Sequence, residues 1–178
     1  MSDEVRRVNR TLIHKGAIIE YYVDTMEFPG GSQAKWDFIK HNGAAAAVPV
    51  TEDGKILMVR QYRNALERYT LEIPAGGLNP GENTDVAAAR ELEEETGYAS
   101  DDLELLISLR TTVAFCNEKI DIYVAKNLVK THQHLDEDEF LNVEAYSLKE
   151  LEDKIFRQEI EDSKTIAALM AYKVKYGI

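Results

Sequence analysis

Hydrophobic and polar residues follow two different patterns on either side of residue 42. Before that point, short runs of β-branched and aromatic residues are separated by turn residues at 15–16 and 29–32, which predicts a small antiparallel sheet. The runs are TLIHKG, AIIEYYVDTMEF and KWDFIKH, and the turn signal HNG follows the last of them. We therefore expect a small N-terminal antiparallel β-domain at 1–42 and a larger domain at 43–178.

Strand and helix patterns are mixed in the second region. A turn at 52–54 separates AAAAVPV from KILMVRQYR and predicts a β-hairpin, and TLEIPAG predicts one more strand. Later strands are predicted by DLELLISLRTT, IDIYVAKNL and NVEAYSL, and two closing helices by LKELEDKIFRQ and DSKTIAALMAYKVKY. This order of elements predicts an α+β fold, with a mixed sheet flanked by helices.

Another helix is predicted between Asn83, a favoured N-cap residue, and Gly97, a favoured helix stop. Val86, Ala89 and Leu92 recur on one side of this segment and indicate the face that packs into the core. The polar side of the same helix carries the residues from which a function can be inferred.

Composition narrows the choice of partner and compartment. The net charge of −11 disfavours a nucleic-acid duplex or an anionic membrane as partner, and a small anionic substrate would need local cations. No apolar run approaches the roughly 20 residues that cross a bilayer, and the N-terminus lacks the apolar stretch of a signal peptide. The single cysteine, Cys116, cannot form an internal disulfide. We expect a cytoplasmic protein in which Cys116 is a small packed side chain.

Three glutamates are spaced to share one face of the predicted helix. Glu91, Glu94 and Glu95 stand at i, i+3 and i+4, where like charges cost about 0.2–0.5 kcal/mol per pair. Such a face needs full solvation or a compensating cation. Mg²⁺ meets that need, because it prefers hard oxygen ligands and is normally completed by water and substrate phosphates. Taken by itself, an E-x-x-E-E pattern is also typical of an ordinary solvated acidic surface.

The residues around the glutamates favour the metal. Five residues separate Gly76 from Glu82, and seven more lead to RELEEETGY at 90–98. This spacing resembles the complete Nudix box. The resemblance implies a Nudix α/β/α sandwich that binds Mg²⁺, with Mn²⁺ as a possible substitute, through the carbonyl of Ala75 and the carboxylates of Glu91, Glu94 and Glu95. Arg90 can hold neighbouring carboxylates such as Glu94 by paired hydrogen bonds, so we expect it to orient the ligands.

A longer stretch, VRQYRNALERYTLEIPAGGLNPGE, resembles the ADP-ribose pyrophosphatase branch of that family. The resemblance implies that Arg63 holds the substrate phosphates, that Trp36 stacks on adenine, and that Glu118 orients or deprotonates the attacking water, with Glu94 as the other candidate base. It also implies a homodimer formed by a partly swapped N-terminal domain. The alternatives are a solvated strand end for Arg63, a core position for Trp36 and an ordinary loop glutamate for Glu118.

One position departs from that branch. The branch carries a marker proline sixteen residues after the last glycine of the box, where this chain has Val113 within Thr112-Val113-Ala114. The expected reaction is hydrolysis of ADP-ribose to AMP and ribose 5-phosphate, and a GDP-mannose or other nucleotide-sugar pyrophosphatase remains open. A non-catalytic nucleotide-sugar sensor is the third alternative. A Ca²⁺-binding structural protein is disfavoured because D-x-D-x-D-G is absent, and we expect no metal at His132 and His134.

Overall fold

The computed structural model describes residues 4–135 and 141–178. The chain forms two compact units, one made of Met1–Gly43 with Arg110–Lys119 and the other of Ala44–Leu109 with Ile120–Ile178. The boundary near Gly43 lies beside the turn that the sequence indicates, but the assignment of 110–119 to the first unit has no counterpart in the sequence-based division.

The strands and helices of the described ranges are, in chain order, β1 (Arg6–Lys15), β2 (Ile19–Glu27), β3 (Gln33–His41), β4 (Ala44–Pro49), β5 (Ile56–Arg63), β6 (Arg68–Glu72), β7 (Ala75–Gly77), α1 (Thr84–Thr96), β8 (Tyr98–Ala99), β9 (Asp102–Arg110), β10 (Lys119–Lys126), β11 (Val129–Lys130), β12 (Leu141–Tyr146), α2 (Leu148–Phe156) and α3 (Ser163–Tyr176). None of the helices in these ranges combines the length and apolar character needed to span a membrane.

The first unit contains the predicted antiparallel sheet. Its strand order is β1-β2-β3, and the register places Tyr22 opposite both Leu12 and Phe38. Two glycines with positive φ, Gly30 and Gly31, allow the turn between β2 and β3. The segment 110–119 lies along β3, where Ile39 exchanges backbone hydrogen bonds with Phe115 and Asn117.

The second unit consists of β-sheets covered by α-helices. One sheet has the order β7-β4-β10-β9, a second has the order β12-β5-β6, and β8 pairs with β11. β4 is a central strand, parallel to β10 and antiparallel to β7. Parallel and antiparallel strands combined with helices in this way confirm the predicted α+β class.

The predicted β-hairpin at 44–63 is wrong. β4 and β5 belong to different sheets, and only the bridge between Val50 and Ile56 joins them beyond the turn. All six residues of β4 are buried. A strand with both faces covered has no polar side to alternate with, and such continuous apolar runs are typical of central strands rather than exposed hairpins.

Alanines in β4 allow helices to pack closely on both faces of the sheet. Ala45 packs with Ala87 and Ala88 of α1, whereas Ala46 lies in the main core with Leu169 of α3. α1 and α3 therefore cover opposite faces of the central strand, which gives the helix/sheet/helix layering.

The predicted limits of α1 are confirmed, but its packing face is only partly the expected one. Gly97 ends the helix in the left-handed conformation at φ 69, and Asn83 occupies the N-cap position, although its side chain makes no capping hydrogen bond. Leu92 is buried as expected, but Val86 is 54% exposed, and Ala87 and Ala88 are buried in its place. The small alanine pair permits close approach to the alanines of β4, which a valine side chain would prevent.

Candidate active site

The glycine-rich loop is held against α1 by the pairing of β7 with β4. Ala75 pairs with Ala46, and its backbone N–H donates to Glu95 Oε2 at 2.9 Å. A side-chain carbon at Gly76 would overlap the carboxylate of Glu91. The glycine at this position therefore lets the loop backbone lie directly against the acidic helix face.

Arg90 connects four parts of this loop and helix. Its Nε and Nη2 donate to the two carboxylate oxygens of Glu82 at 2.9 and 3.0 Å, and Nη2 also donates to the carbonyl of Gly77 at 3.1 Å. Its Nη1 donates to Glu91 Oε1 at 2.6 Å and to Glu94 Oε2 at 2.9 Å. One guanidinium thus fixes the loop carboxylate and two helix carboxylates relative to each other.

The hydrogen bonds and charges around Arg90 shift the pKa values of Glu82 and of Arg90 itself. The hydrogen bond from Arg90, helped by the backbone N–H of Asn79, lowers the pKa of Glu82 to about 2. The hydrogen bonds that Arg90 donates to carboxylates, the one to Glu82 above all, raise the pKa of Arg90 further above its ordinary value. Glu82 and Arg90 therefore stay ionised throughout the physiological pH range.

The acidic face, defined as Glu91, Glu94 and Glu95, differs in exposure along its length. Glu95 is 3% exposed, whereas the side chain of Glu94 is 39% exposed. Within residues 4–135 and 141–178, no three His, Cys, Asp or Glu side chains are already arranged as a metal cage. The carboxylates of the acidic face nevertheless suit Mg²⁺. They outnumber the one guanidinium that pairs with them, and Mg²⁺ needs only one or two carboxylates because water and phosphate complete its coordination.

A segment after β11 supports the C-terminal end of α1. The backbone N–H of His134 donates to the carbonyl of Glu94 at 2.9 Å, and the side-chain amide of Gln133 donates to the carbonyl of Glu95 at 2.6 Å. Thr131 donates to the carbonyl of Gly97 at 2.8 Å. These bonds satisfy carbonyls that a helix end would leave without partners, and they fix the turn that carries Glu94 and Glu95.

Arg63, at the end of β5, is not a solvated strand end. Its Nε and Nη2 donate to the two oxygens of Glu72 at 2.7 and 2.6 Å. Burial alone would raise the pKa of Glu72, but the hydrogen bonds from Arg63 and the charge of Lys164 lower it to about 2. The hydrogen bond to Glu72 raises the pKa of Arg63, and so does the negative charge of Glu95. Arg63 therefore lies within electrostatic reach of Glu95.

Trp36 is not a core residue. It lies on β3 of the first unit, is 49% exposed, and meets the ring of Phe28 edge to face with 5.9 Å between ring centroids. This contact fixes the orientation of the indole ring while leaving much of it open to solvent. Stacking on a base remains a prediction for this side chain.

Glu118 is held in the first unit by several polar contacts. Its Oε2 accepts a hydrogen bond from Thr111 Oγ1 at 2.6 Å, and Oε1 lies 3.4 Å from His41 Nδ1. The neighbouring Asn117 exchanges hydrogen bonds with the backbone of His41 at 2.8 and 3.1 Å. Val113, the position that departs from the expected proline, is 86% exposed. The loop is thus anchored near Glu118 and exposed at Val113.

Sequence reasoning did not single out Glu72, Lys164 or Asp162. Lys164 and Asp162 lie at the start of α3, far along the chain from β6, and no local motif connects them with Glu72. One signal in the sequence could have indicated this group: Glu72 is the lone acid in the apolar run TLEIPAG. A carboxylate buried in such a strand requires a hydrogen-bonding or charged partner.

Comparison with known proteins places this arrangement in a family. Residues 40–169 match the NUDIX domain. The chain is 42% identical to a methanol dehydrogenase activator of Bacillus methanolicus and 37% identical to an ADP-ribose pyrophosphatase of Bacillus subtilis (strain 168), each over 98% of this chain and 96% of the relative. A crystal structure of an ADP compounds hydrolase superposes with a TM-score of 0.86 at 25% identity, covering 96% of this chain and 92% of that one. The extent of these matches shows that the chain belongs to the Nudix family.

Proposed function

We propose that this protein hydrolyses the pyrophosphate bond of ADP-ribose, releasing AMP and ribose 5-phosphate. The proposal rests mainly on the acidic face of α1. Arg90 holds two carboxylates of this face by hydrogen bonds, and Arg63 lies within electrostatic reach of the third, Glu95. Such a site combines oxygen donors for a cation with a cation for phosphate. The similarity to an ADP-ribose pyrophosphatase and to an ADP compounds hydrolase supports an ADP compound as substrate.

The proposed metal is Mg²⁺, with Mn²⁺ as a substitute. The carbonyl of Ala75 and the carboxylates of Glu91, Glu94 and Glu95 would hold it. A divalent cation bound there supplies positive charge to the diphosphate and favours ionisation of water. Arg90 keeps two of these carboxylates in place, so its proposed contribution is to orient the ligands rather than to contact substrate.

The proposed role of Arg63 is to bind the diphosphate. Glu72 engages Nε and Nη2, which leaves Nη1 on the opposite side of the planar guanidinium. The side chain is 38% exposed, so it can meet a phosphate oxygen without leaving its carboxylate partner. A guanidinium fixed in this way binds phosphate with less loss of side-chain entropy than a mobile one.

Water attack on one phosphorus breaks the bond to the bridging oxygen and releases a proton. Glu118 is the proposed acceptor of that proton, with Glu94 as the alternative. Trp36 is proposed to stack on the adenine, since its indole is oriented by Phe28 and half exposed. Base stacking of this kind is worth roughly 1–3 kcal/mol.

We also propose a homodimer formed through the first unit. β1 is an edge strand of its sheet, and Val8, Leu12 and Ile13 on it are 41%, 49% and 54% exposed. An exposed edge strand with apolar side chains favours pairing with another chain. Light scattering coupled to size-exclusion chromatography should give about twice the 20.2 kDa of one chain, and a single-chain mass would contradict the proposal.

Hydrolysis of GDP-mannose or another nucleotide sugar is the second candidate, favoured by the exposed Val113 in place of the branch's proline. A substrate panel separates the two. We would compare kcat/KM with Mg²⁺ for ADP-ribose, GDP-mannose, FAD, NADH, diadenosine polyphosphates and dGTP. The proposal predicts the highest value for ADP-ribose, and a higher value for GDP-mannose would replace it with the second candidate.

A further inference from the structure

A buried lysine from α3 completes the environment of Arg63. Lys164 is 9% exposed, and its ammonium group donates to Glu72 Oε2 and, at 3.0 Å, to Asp162 Oδ2. Glu72 also accepts a hydrogen bond from Thr70 Oγ1 at 2.6 Å. Both oxygens of this carboxylate are therefore engaged, one by Arg63 and Thr70 and the other by Arg63 and Lys164.

Lys164 changes the charge that Arg63 presents. In an isolated pair, Glu72 would neutralise the guanidinium and weaken its attraction for phosphate. With Lys164 bound to the same carboxylate, the ammonium group balances part of the charge of Glu72 that Arg63 would otherwise balance alone. The other acid beside Lys164 is Asp162, which caps α3 by accepting from the N–H and Oγ1 of Thr165. The positive end of the helix dipole offsets part of that carboxylate's charge.

The same helix end also fixes the backbone that leads to the glycine-rich loop. Thr165 Oγ1 accepts a hydrogen bond from the backbone N–H of Ile73 at 3.1 Å, and both residues are buried. Ile73 directly follows Glu72 and lies two residues before Ala75. The start of α3 thus holds both the partner of Arg63 and the chain that carries the proposed metal ligand.

We propose that Glu72 and Lys164 are positioning residues for diphosphate binding: Glu72 fixes the direction of the Arg63 guanidinium, and Lys164 preserves its positive charge toward substrate. This inference rests on the proposed function, because it assigns to the same site the device that recognises the diphosphate.

The test is a double-mutant cycle between Arg63→Met and Lys164→Met. Lys164→Met should raise KM for ADP-ribose about tenfold, the order expected from weakening one charge-assisted contact, with kcat changed less than about threefold. Lys164→Arg should restore most of the affinity. In the Arg63→Met background, Lys164→Met should change KM less than about twofold, because the group through which it acts is gone. Equal effects in both backgrounds would overturn the proposal.

Two further measurements separate this inference from general loss of structure. Lys173→Met is the matched control, since Lys173 lies on the same helix and pairs with Glu152 at 2.6 Å; its KM should stay near wild type. If Lys164→Met does not fold, as judged by circular dichroism, Glu72→Gln replaces it in the cycle with the same expected non-additivity. An unchanged KM for folded Glu72→Gln would count against the proposal.

Binding of magnesium pyrophosphate, measured by calorimetry, provides a readout that does not depend on turnover. Non-additive losses of affinity in the same cycle support the inference even if ADP-ribose is not the substrate. If wild type hydrolyses ADP-ribose but the two substitutions weaken pyrophosphate binding additively, the proposed function survives and the positioning role is wrong.

Discussion

Replacing Glu72 by glutamine should make the stability of the protein less dependent on acidic pH. Glu72 is 3% exposed, and its pKa lies at about 2 because Arg63 and Lys164 overcome the effect of burial. In the unfolded chain the pKa of a glutamate is near its ordinary value of about 4.5. The folded-state pKa is depressed, so this carboxylate stabilises the fold above pH 4.5, and that stabilisation is lost as the pH falls toward 2.

The size of the effect follows from the two pKa values. A change from about 4.5 to about 2 corresponds to about 3 kcal/mol at neutral pH, since one pH unit is worth about 1.4 kcal/mol. By pH 3 about 2 kcal/mol of that stabilisation should already be lost. Glutamine cannot ionise, so the free-energy difference between wild type and Glu72→Gln should be large at pH 7 and shrink as the pH falls.

Urea unfolding at a series of pH values from 7 to 3 measures this difference directly. Other titrating groups are common to both proteins, so their contributions cancel when the two free energies of unfolding are subtracted. Glu52→Gln, in the exposed turn before β5, controls for the loss of a surface carboxylate. A wild-type minus Glu72→Gln difference that stays constant from pH 7 to pH 3 would refute the ion-pair network.

Four other substitutions test the site, and Gly77→Ala serves as a control for one of them. Glu95→Gln should lower kcat by orders of magnitude without unfolding the protein, because a metal ligand is worth several kcal/mol in the transition state; rates within about threefold of wild type would exclude it as a ligand. Gly76→Ala should also lower activity, because its methyl group displaces the Glu91 carboxylate, whereas Gly77→Ala, which has open space around it, should not. Trp36→Ala should raise KM for ADP-ribose more than it lowers kcat, and an unchanged KM would remove the stacking role. Glu118→Gln should reduce kcat by about 10²–10⁴ with little change in KM. A near-normal kcat would indicate that Glu94, on the acidic face, is the base instead.

Local features of the sequence predicted the acidic helix well. Asn83 and Gly97 mark its limits because capping depends on a few adjacent residues. The contact between Gly76 and Glu91 could also be anticipated, since a glycine without an evident turn indicates close approach of another group. Once the segment is helical, the spacing of Glu91, Glu94 and Glu95 places them on one face, and this does not depend on how the rest of the chain folds.

Features that depend on distant parts of the chain could not be predicted in this way. The bond between Lys164 and Glu72 joins residues 92 positions apart, and the packing of Phe115 and Asn117 along β3 is equally non-local. The separation of β4 and β5 into two sheets has the same origin. β4 pairs with β7 and β10, and β5 pairs with β6 and β12. Periodicity within a segment carries no information about which other strand it pairs with.

The products formed from ADP-ribose show whether this protein hydrolyses the pyrophosphate bond. Purified protein, ADP-ribose and Mg²⁺ should yield AMP and ribose 5-phosphate in equal amounts by chromatography, and removal of the metal with EDTA should stop the reaction until Mg²⁺ is restored. Absence of AMP with active, folded protein, or undiminished hydrolysis in EDTA, would contradict the account.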